Sequence, residues 1–363
     1  MELYTLDSQL RREDVVDDFE SLIWSERFRA IGDFQLVIVS NAKTRQRFTI
    51  NRHLALNRSH RVMVVESVES NYDDDGRRML TVKGRSLEKL LDERVYRVNL
   101  SGGHRTYLFS NTPGNIARQM FDTVCRPGSA VVAEDAIPFI QPGSILSTGN
   151  IPEPSAVIDW EQEPATVYAA IRELCIRYEL GFRLTRHYDA SELYFDVYTG
   201  SNRTTDQTAL TPIVFGERLG NIQNTREFSS VQNYKNVAYV WSQGGNSTIY
   251  APGANASTSG FDRRVLLVST DVPEEYTGTA GNWRLRVGRE ELRKHRAANL
   301  YDGELTPHSG FVYGVDYNLG DLLDFRDEQN NPSYRRVLEQ IFIYDQEGER
   351  SYPTLGTGQI VEE

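Results

Sequence analysis

The chain has 363 residues, 39% hydrophobic and 25% charged, which is too long for one ordinary core and too apolar for a disordered polymer. Its 51 acidic and 40 basic side chains give a formal net charge of −11, which argues against a specific nucleic-acid binder with a broad basic face. Two cysteines, Cys125 and Cys175, cannot build a disulfide framework or a cysteine-rich zinc site.

The N-terminal run Met1 to Asp7 has neither a basic n-region nor an apolar h-region, and no run of about 18 apolar residues follows. Neither a secretory signal nor a membrane-spanning helix is expected, and the chain reads as made and folded in a cytoplasm. Tyrosine is the commonest aromatic, with 19 against 15 Phe and 4 Trp, a bias that suits strands and protein contact surfaces.

Up to about residue 100 the pattern is mostly strand. Phe34 to Val39 is a short apolar run. Val62 to Ser70 and Arg78 to Gly84 flank an acidic loop ending in Gly76, which reads as a hairpin because Gly accepts the positive φ of such loops. Ser86 to Leu91 reads as a short helix capped by Ser86. Thr112-Pro113 then opens a helix with Ile116, Met120 and Val124 on one face.

A Pro- and Gly-containing stretch from Arg126 to Pro154 reads as loop with one short strand. The strongest helix is Pro164 to Leu180, where Val167, Ile171, Leu174 and Tyr178 share a face and Gly181 is the expected left-handed stop. Phe182 to Arg186 and Leu193 to Thr199 form a hairpin. Leu193, Phe195 and Val197 line one face of its second strand, and Tyr194, Asp196 and Tyr198 the other. Tyr194 and Tyr198 are candidate contact residues.

From about 212 strands return, with Val237, Tyr239 and Trp241 alternating against Ala238 and Val240. Gln243 to Gly260 reads as an exposed loop, and Gly288 to Leu300 as a surface helix charged all round. Phe311, Tyr313, Val315 and Tyr317 alternate like a strand, Asn318 to Asp321 turns into Leu322 to Arg326, and Tyr334 to Tyr344 is the last long strand. One internal echo is present. Arg61-Val62-Met63 leads to Tyr72-Asp-Asp-Asp-Gly-Arg-Arg78, and Arg336-Val337-Leu338 leads to Tyr344-Asp-Gln-Glu-Gly-Glu-Arg350.

A catalytic centre is not legible. The six histidines (His53, His60, His104, His187, His295, His308) show no helical pair and no His-Glu-x-x-His run. No Gly-x-Ser-x-Gly elbow or Walker loop occurs, and Gly102-Gly103-His104 reads as a turn. Asp73-Asp74-Asp75-Gly76 lacks EF-hand spacing and reads as a hairpin tip. Cys125 and Cys175 sit in expected helices without an activating motif, as small buried side chains do. A glycosidase pair among 51 acids is neither supported nor excluded by sequence. No catalytic, cofactor-binding or metal residue is assigned, and no cofactor is expected.

Several segments together resemble the hub, or minor tail, proteins of long non-contractile phage tails, especially phages of actinobacteria. They are Trp24 to Leu36, Val82 to Arg94, Tyr198 to Thr204, Asn233 to Val240 and Tyr317 to Leu323, in order along nearly the whole chain. The resemblance implies an α+β, mainly β, baseplate-hub-like fold. Two small related β-barrel domains would lie at 1–100 and at 212–245 with 306–363. They would flank an α/β domain at 101–211, with an inserted segment at 246–305.

It further implies a structural homotrimer in the virion tail tip, assembled in the host cytoplasm. A ring whose subunits each carry two alike barrels presents six similar units to a six-fold tube and leaves three-fold symmetry below. The partners implied are further copies of itself, the distal tail protein ring, the tape-measure protein C-terminus and downstream tip or fibre proteins. Genomic DNA would pass without specific binding, helped by an acidic wall. The chain stops without the C-terminal fibre or lysin extension of some relatives, so no enzymatic activity is expected. The alternatives from other classes are a tail-associated cell-wall hydrolase and a carbohydrate-binding receptor module.

Overall fold

The computed structural model describes residues 1–97, 106–144, 149–187, 191–274, 276–306 and 309–357. The fold is mainly β. Seven antiparallel strands open it: β1 (Leu3–Leu6), β2 (Arg12–Val16), β3 (Phe19–Arg27), β4 (Asp33–Val39), β5 (His53–Leu56), β6 (Val62–Tyr72) and β7 (Arg78–Ser86). They pair in the order β3-β4-β7-β6-β5-β1-β2. Alternation explains the sheet: Phe34, Leu36 and Ile38 of β4 point into one buried cluster with Trp24, Leu54 and Val82.

The expected β6–β7 hairpin is present. Asp73 accepts from the backbone N–H groups of Asp75 (3.1 Å) and Arg77 (2.7 Å), and Gly76 takes φ +77°. Ser86 is not a helix cap. It ends β7, where its hydroxyl accepts from Gly32 N–H at 2.9 Å, and the short helix runs Lys89–Asp92 instead.

Next come α1 (Pro113–Cys125) and α2 (Val167–Arg177), which pack against the hairpin β8 (Gly181–Arg186) and β9 (Leu193–Tyr198). Pro113 sits in the first turn of α1, and Ile116, Met120 and Val124 are buried as their spacing requires. Phe121 of α1 stacks on Phe195 of β9 at 3.9 Å. Thr166 caps α2 by accepting from Ala169 N–H. The left-handed residue after α2 is Glu179 (φ +55°), not Gly181. Asp196 and Tyr198 are buried too, so the second face of β9 is covered rather than exposed.

The later strands are β10 (Val214–Gly216), β11 (Ile222–Ser230), β12 (Val237–Ser242), β13 (Gly245–Tyr250), β14 (Val265–Ser269), β15 (Ala298–Leu305), β16 (Leu322–Arg326), β17 (Pro332–Asp345) and β18 (Gly348–Thr357). β11, β15, β18 and β17 continue the large sheet, because Glu339–Tyr344 of β17 pair with Leu22–Arg27 of β3. β12, β13 and β14 form a separate three-stranded sheet covered by α3 (Ala280–Lys294). Strand pairing thus puts 237–242 with the small sheet and 298–305 with the large one.

Residues 245–250 are a strand within the expected loop. The helix starts at Ala280, eight positions before Gly288, and the chain is a strand again by Ala298. Residues 311–317 are turns, with Gly314 at φ +83° and a single Tyr313–Tyr317 bridge. The two echoing segments are both hairpins, and Gly348 takes φ +101° where Gly76 takes +77°.

Candidate functional site

Cys125 and Cys175 are buried, and burial pushes both thiols up to about 12, so the reactive thiolate is suppressed at neutral pH. Asp73 is taken up by its own turn and by Arg77 Nε at 2.9 Å. Among the described residues no group of three His, Cys, Asp or Glu side chains is placed to hold a metal, and no helix is long and apolar enough to cross a membrane. Gly102-Gly103-His104 lies outside the described residues.

A cleft of about 590 Å³ lies where the N-terminal strands, the β8–β9 hairpin and the 312–321 loops meet. Glu26 of β3 lies on its wall, accepting from Trp24 Nε1 at 3.2 Å and Tyr313 O–H at 3.1 Å. Arg61, buried, pairs with Glu88 and donates to the Arg27 carbonyl at 3.2 Å. Arg183 holds Asp196 through Nε at 3.1 Å. Asp321 is raised by burial, although it accepts from Ser201 N–H (2.7 Å), Asn318 N–H (3.0 Å) and Arg203 Nε (3.0 Å). Tyr313 is driven well above the ordinary phenol value, first by burial and then by Glu26, so it remains a donor.

His60, on the same wall, and His53, in β5, are both lowered, by burial first and by neighbouring cations second. A histidine with a depressed folded value contributes stability above its unfolded value of about 6.5, and that contribution is lost as pH falls. Melting temperature is therefore expected to drop between about pH 7 and pH 5, above the usual carboxylate range. A His53→Gln, His60→Gln double variant should flatten this part of the profile in a thermal-melt pH series; an unchanged slope would refute the assignment.

The outer face of the small sheet carries a second kind of chemistry. Tyr239 and Trp241 of β12 are exposed there, with Leu267 of β14 directly opposite Tyr239. Arg263 lies 5.7 Å over the Tyr239 ring and donates to its hydroxyl at 2.8 Å. Tyr, Trp and Arg together are the composition of protein contact surfaces. Of the two candidate contact residues read from sequence, Tyr198 is only 2% exposed and cannot serve, because its ring packs edge-on against Phe28 at 5.2 Å. Tyr194 is half-buried and bonds Glu192. Tyr239 and Trp241 were visible as an alternating strand, but only the pairing with β13 and β14 and the cover by α3 show which face is open.

The fold is similar over its whole length to solved tail proteins. The tail protein from Neisseria meningitidis MC58 matches with a TM-score of 0.58 at 11% identity, covering 98% of this chain and 96% of that one. The 43 kDa tail protein of prophage MuSo2 from Shewanella oneidensis gives 0.55 at 14% identity, with 98% and 96% covered. Prophage tail protein gp18 from Listeria monocytogenes EGD-e gives 0.52 at 13%, with 99% and 95% covered. No curated protein matches by sequence. A family model described as Siphovirus ReqiPepy6 Gp37-like protein matches residues 1–357, and the chain belongs to that family of siphovirus tail proteins.

Proposed function

We propose that this tail protein is the hub of a long non-contractile tail tip: a non-enzymatic homotrimeric ring that joins a six-fold tube to three-fold tip components. The observation that carries the reading is the full-length likeness of fold to three solved tail proteins, two of them from prophages. The echoing hairpins β6–β7 and β17–β18 support two related barrel units, since both turn on a positive-φ glycine and each is preceded or entered by a buried arginine, Arg61 or Arg336. On this reading the units are 1–100 and 212–230 with 298–363, around an α/β unit at 101–211, and the insert is 231–297.

Three copies form the ring through a repeated head-to-tail interface. The distal tail ring binds above, the tape-measure protein C-terminus ends at the hub, and tip or fibre proteins attach below. A net charge of −11 keeps exiting DNA from sticking to the wall. The protein assembles in the host cytoplasm and resides in the virion tail tip.

Light scattering on the purified chain is expected to give three times its 41.4 kDa mass, alone or on addition of the distal tail protein. A monomer under both conditions overturns the ring. Clearing of host cell wall in a zymogram overturns the non-enzymatic reading independently.

A further inference from the structure

A strand at the end of a sheet carries a row of backbone N–H and C=O groups with no neighbour, and a bare edge invites another strand. The large sheet has two such edges. Its strands run in the order β11-β15-β18-β17-β3-β4-β7-β6 before β5 is reached. At one end β11 pairs with β15 alone, and after a bulge its regular stretch is 226–230. At the other end β5 covers only 62–64 of β6, and Val65 accepts from Asn51 N–H and donates to the Arg52 carbonyl, both at 2.8 Å. Past that point 67–72 pairs with β7 on one side and, among the described residues, with no strand on the other. Neither stretch contains the proline or lysine that commonly guards an edge.

The two edges match in direction. Each of the seven steps between them is antiparallel, so β11 and β6 run opposite ways. Copies rotated about an axis lying roughly along the strands therefore bring β11 of one to β6 of the next in antiparallel fashion. The faces match as well. Leu355 and Ser351 of β18 stand on one face, opposite Val337 and Phe342 of β17, so one side of the sheet covers both core clusters. On that side Glu227 stands opposite Tyr301 and Ser70 opposite Leu80, both core residues. The open side carries Arg226 and the 45% exposed Phe228 of β11, and Ser67, Glu69 and Asn71 of β6.

Charge is complementary on both sides. Arg226 and Glu69 are exposed on the open side. On the covered side Glu227 faces the place of Arg45 and Arg78, which donate to Ser70 at 3.3 and 3.0 Å. We infer that copies of this chain join by edge-to-edge strand pairing, residues 226–230 of one protomer running antiparallel to residues 67–72 of the next. The inference rests on the homotrimeric reading above and gives it a contact. Each copy supplies one edge of each kind, so the contact is head-to-tail and a closed ring leaves neither edge bare. Backbone hydrogen bonds hold the strands, and the opposite charges select partner and direction.

Light scattering on the full chain, alone and with the distal tail protein, tests the contact in the parent, Arg226→Glu, Glu69→Arg and the double variant. Both positions are exposed, so all four proteins should melt at similar temperatures. Each single substitution sets like charges across every contact and should weaken association about tenfold, and the double variant should recover most of it. Hydrogen exchange should show the outward amides of 67–72 slowed in the assembled parent and fast in the dissociated single variants. A trimer that survives both single substitutions overturns the edge contact and leaves the ring standing, as does loss in the singles without recovery in the double. A dimer or open chain of copies that the singles break and the double restores supports the contact and overturns the ring. A parent that stays monomeric under both conditions overturns both.

Discussion

Replacing Gly181 with alanine is expected to destabilise the protein by about 2–3 kcal/mol, although its backbone suits any residue. A Cβ at Gly181 would lie 2.1 Å from Phe28 Cε2 and 2.7 Å from the Phe28 carbonyl oxygen. Phe28 has little room to yield. Its N–H donates to Leu338 of β17 at 2.8 Å, and its carbonyl accepts from Phe182 of β8 at 3.1 Å. Its ring meets Tyr198 at 5.2 Å and lies beneath the guanidinium of Arg336 at 5.5 Å. One residue at the end of β3 thus joins the N-terminal sheet, the α/β unit and the second half of the chain.

Gly320 meets the same ring: its Cβ would fall 2.5 Å from Phe28 Cε2, and its φ is +90°. Gly320→Ala should therefore cost more than Gly181→Ala, because it adds backbone strain to overlap. Phe28→Leu in the Gly181→Ala background should recover part of the loss, making the pair markedly non-additive. Urea midpoints and melting temperatures of the three variants check this. A Gly181→Ala protein within about 0.5 kcal/mol of the parent would refute the wedge.

Gly181 also shows where sequence reading stops. A glycine directly after the expected end of a helix at Leu180 reads as its left-handed stop. Here Glu179 takes that conformation instead, held by Arg296 at 2.6 Å and Arg29 at 3.3 Å. Those partners lie 117 and 150 residues away, so nothing local announces them. Elements with a clean period were legible: α1, α2, β4 and the β6–β7 hairpin each carry a buried face that the sequence spells out.

α3 was misplaced because its buried residues are few and mixed, Trp283, Gly288, Glu290 and Leu292. Gly288 is buried by contact rather than by its own apolar surface, since a Cβ there would sit 2.7 Å from Val240 Cγ2. The aromatic alternation of 311–317 misled for the converse reason: two successive turns also send Phe311, Tyr313 and Tyr317 inward. The cleft was invisible for want of any local motif. Its walls are drawn from residues 26, 57–61, 149, 183, 185, 198, 200, 201 and 312–321, and only the fold brings them together.

The second large effect is expected at Glu290, whose loss should loosen the small sheet and α3 from the body. Among the described residues the buried cluster of this unit comprises Ala238, Val240, Ile249 and Leu292, with Ala251 and Val268 packed against it, too small a core to be stable alone. It is held on α2 by charge. Glu290 accepts from Arg177 Nη1 at 3.0 Å and from Tyr178 O–H at 2.9 Å, with its side chain only 6% exposed. Arg177 also lies 4.7 Å over the Trp160 ring, so it cannot reach water if Glu290 is removed. Glu290→Ala leaves Arg177 Nη1 and the Tyr178 hydroxyl buried without that acceptor, while Arg177 keeps Glu173 and Glu291 through Nη2, and should cost about 2–3 kcal/mol.

Glu291 is the internal control. It pairs with the same arginine at 2.8 Å, but its side chain is 21% exposed and water can replace it. Glu291→Ala should cost about 1 kcal/mol or less. Hydrogen exchange gives the spatial readout. In Glu290→Ala, protection should fall across 237–250 and 280–294 while β6 and β7 keep theirs, because opening at α3 breaks no pairing in the large sheet. Equal effects of the two substitutions, or uniform loss of protection, would show that the unit is held by apolar packing and not by the Arg177–Glu290 pair.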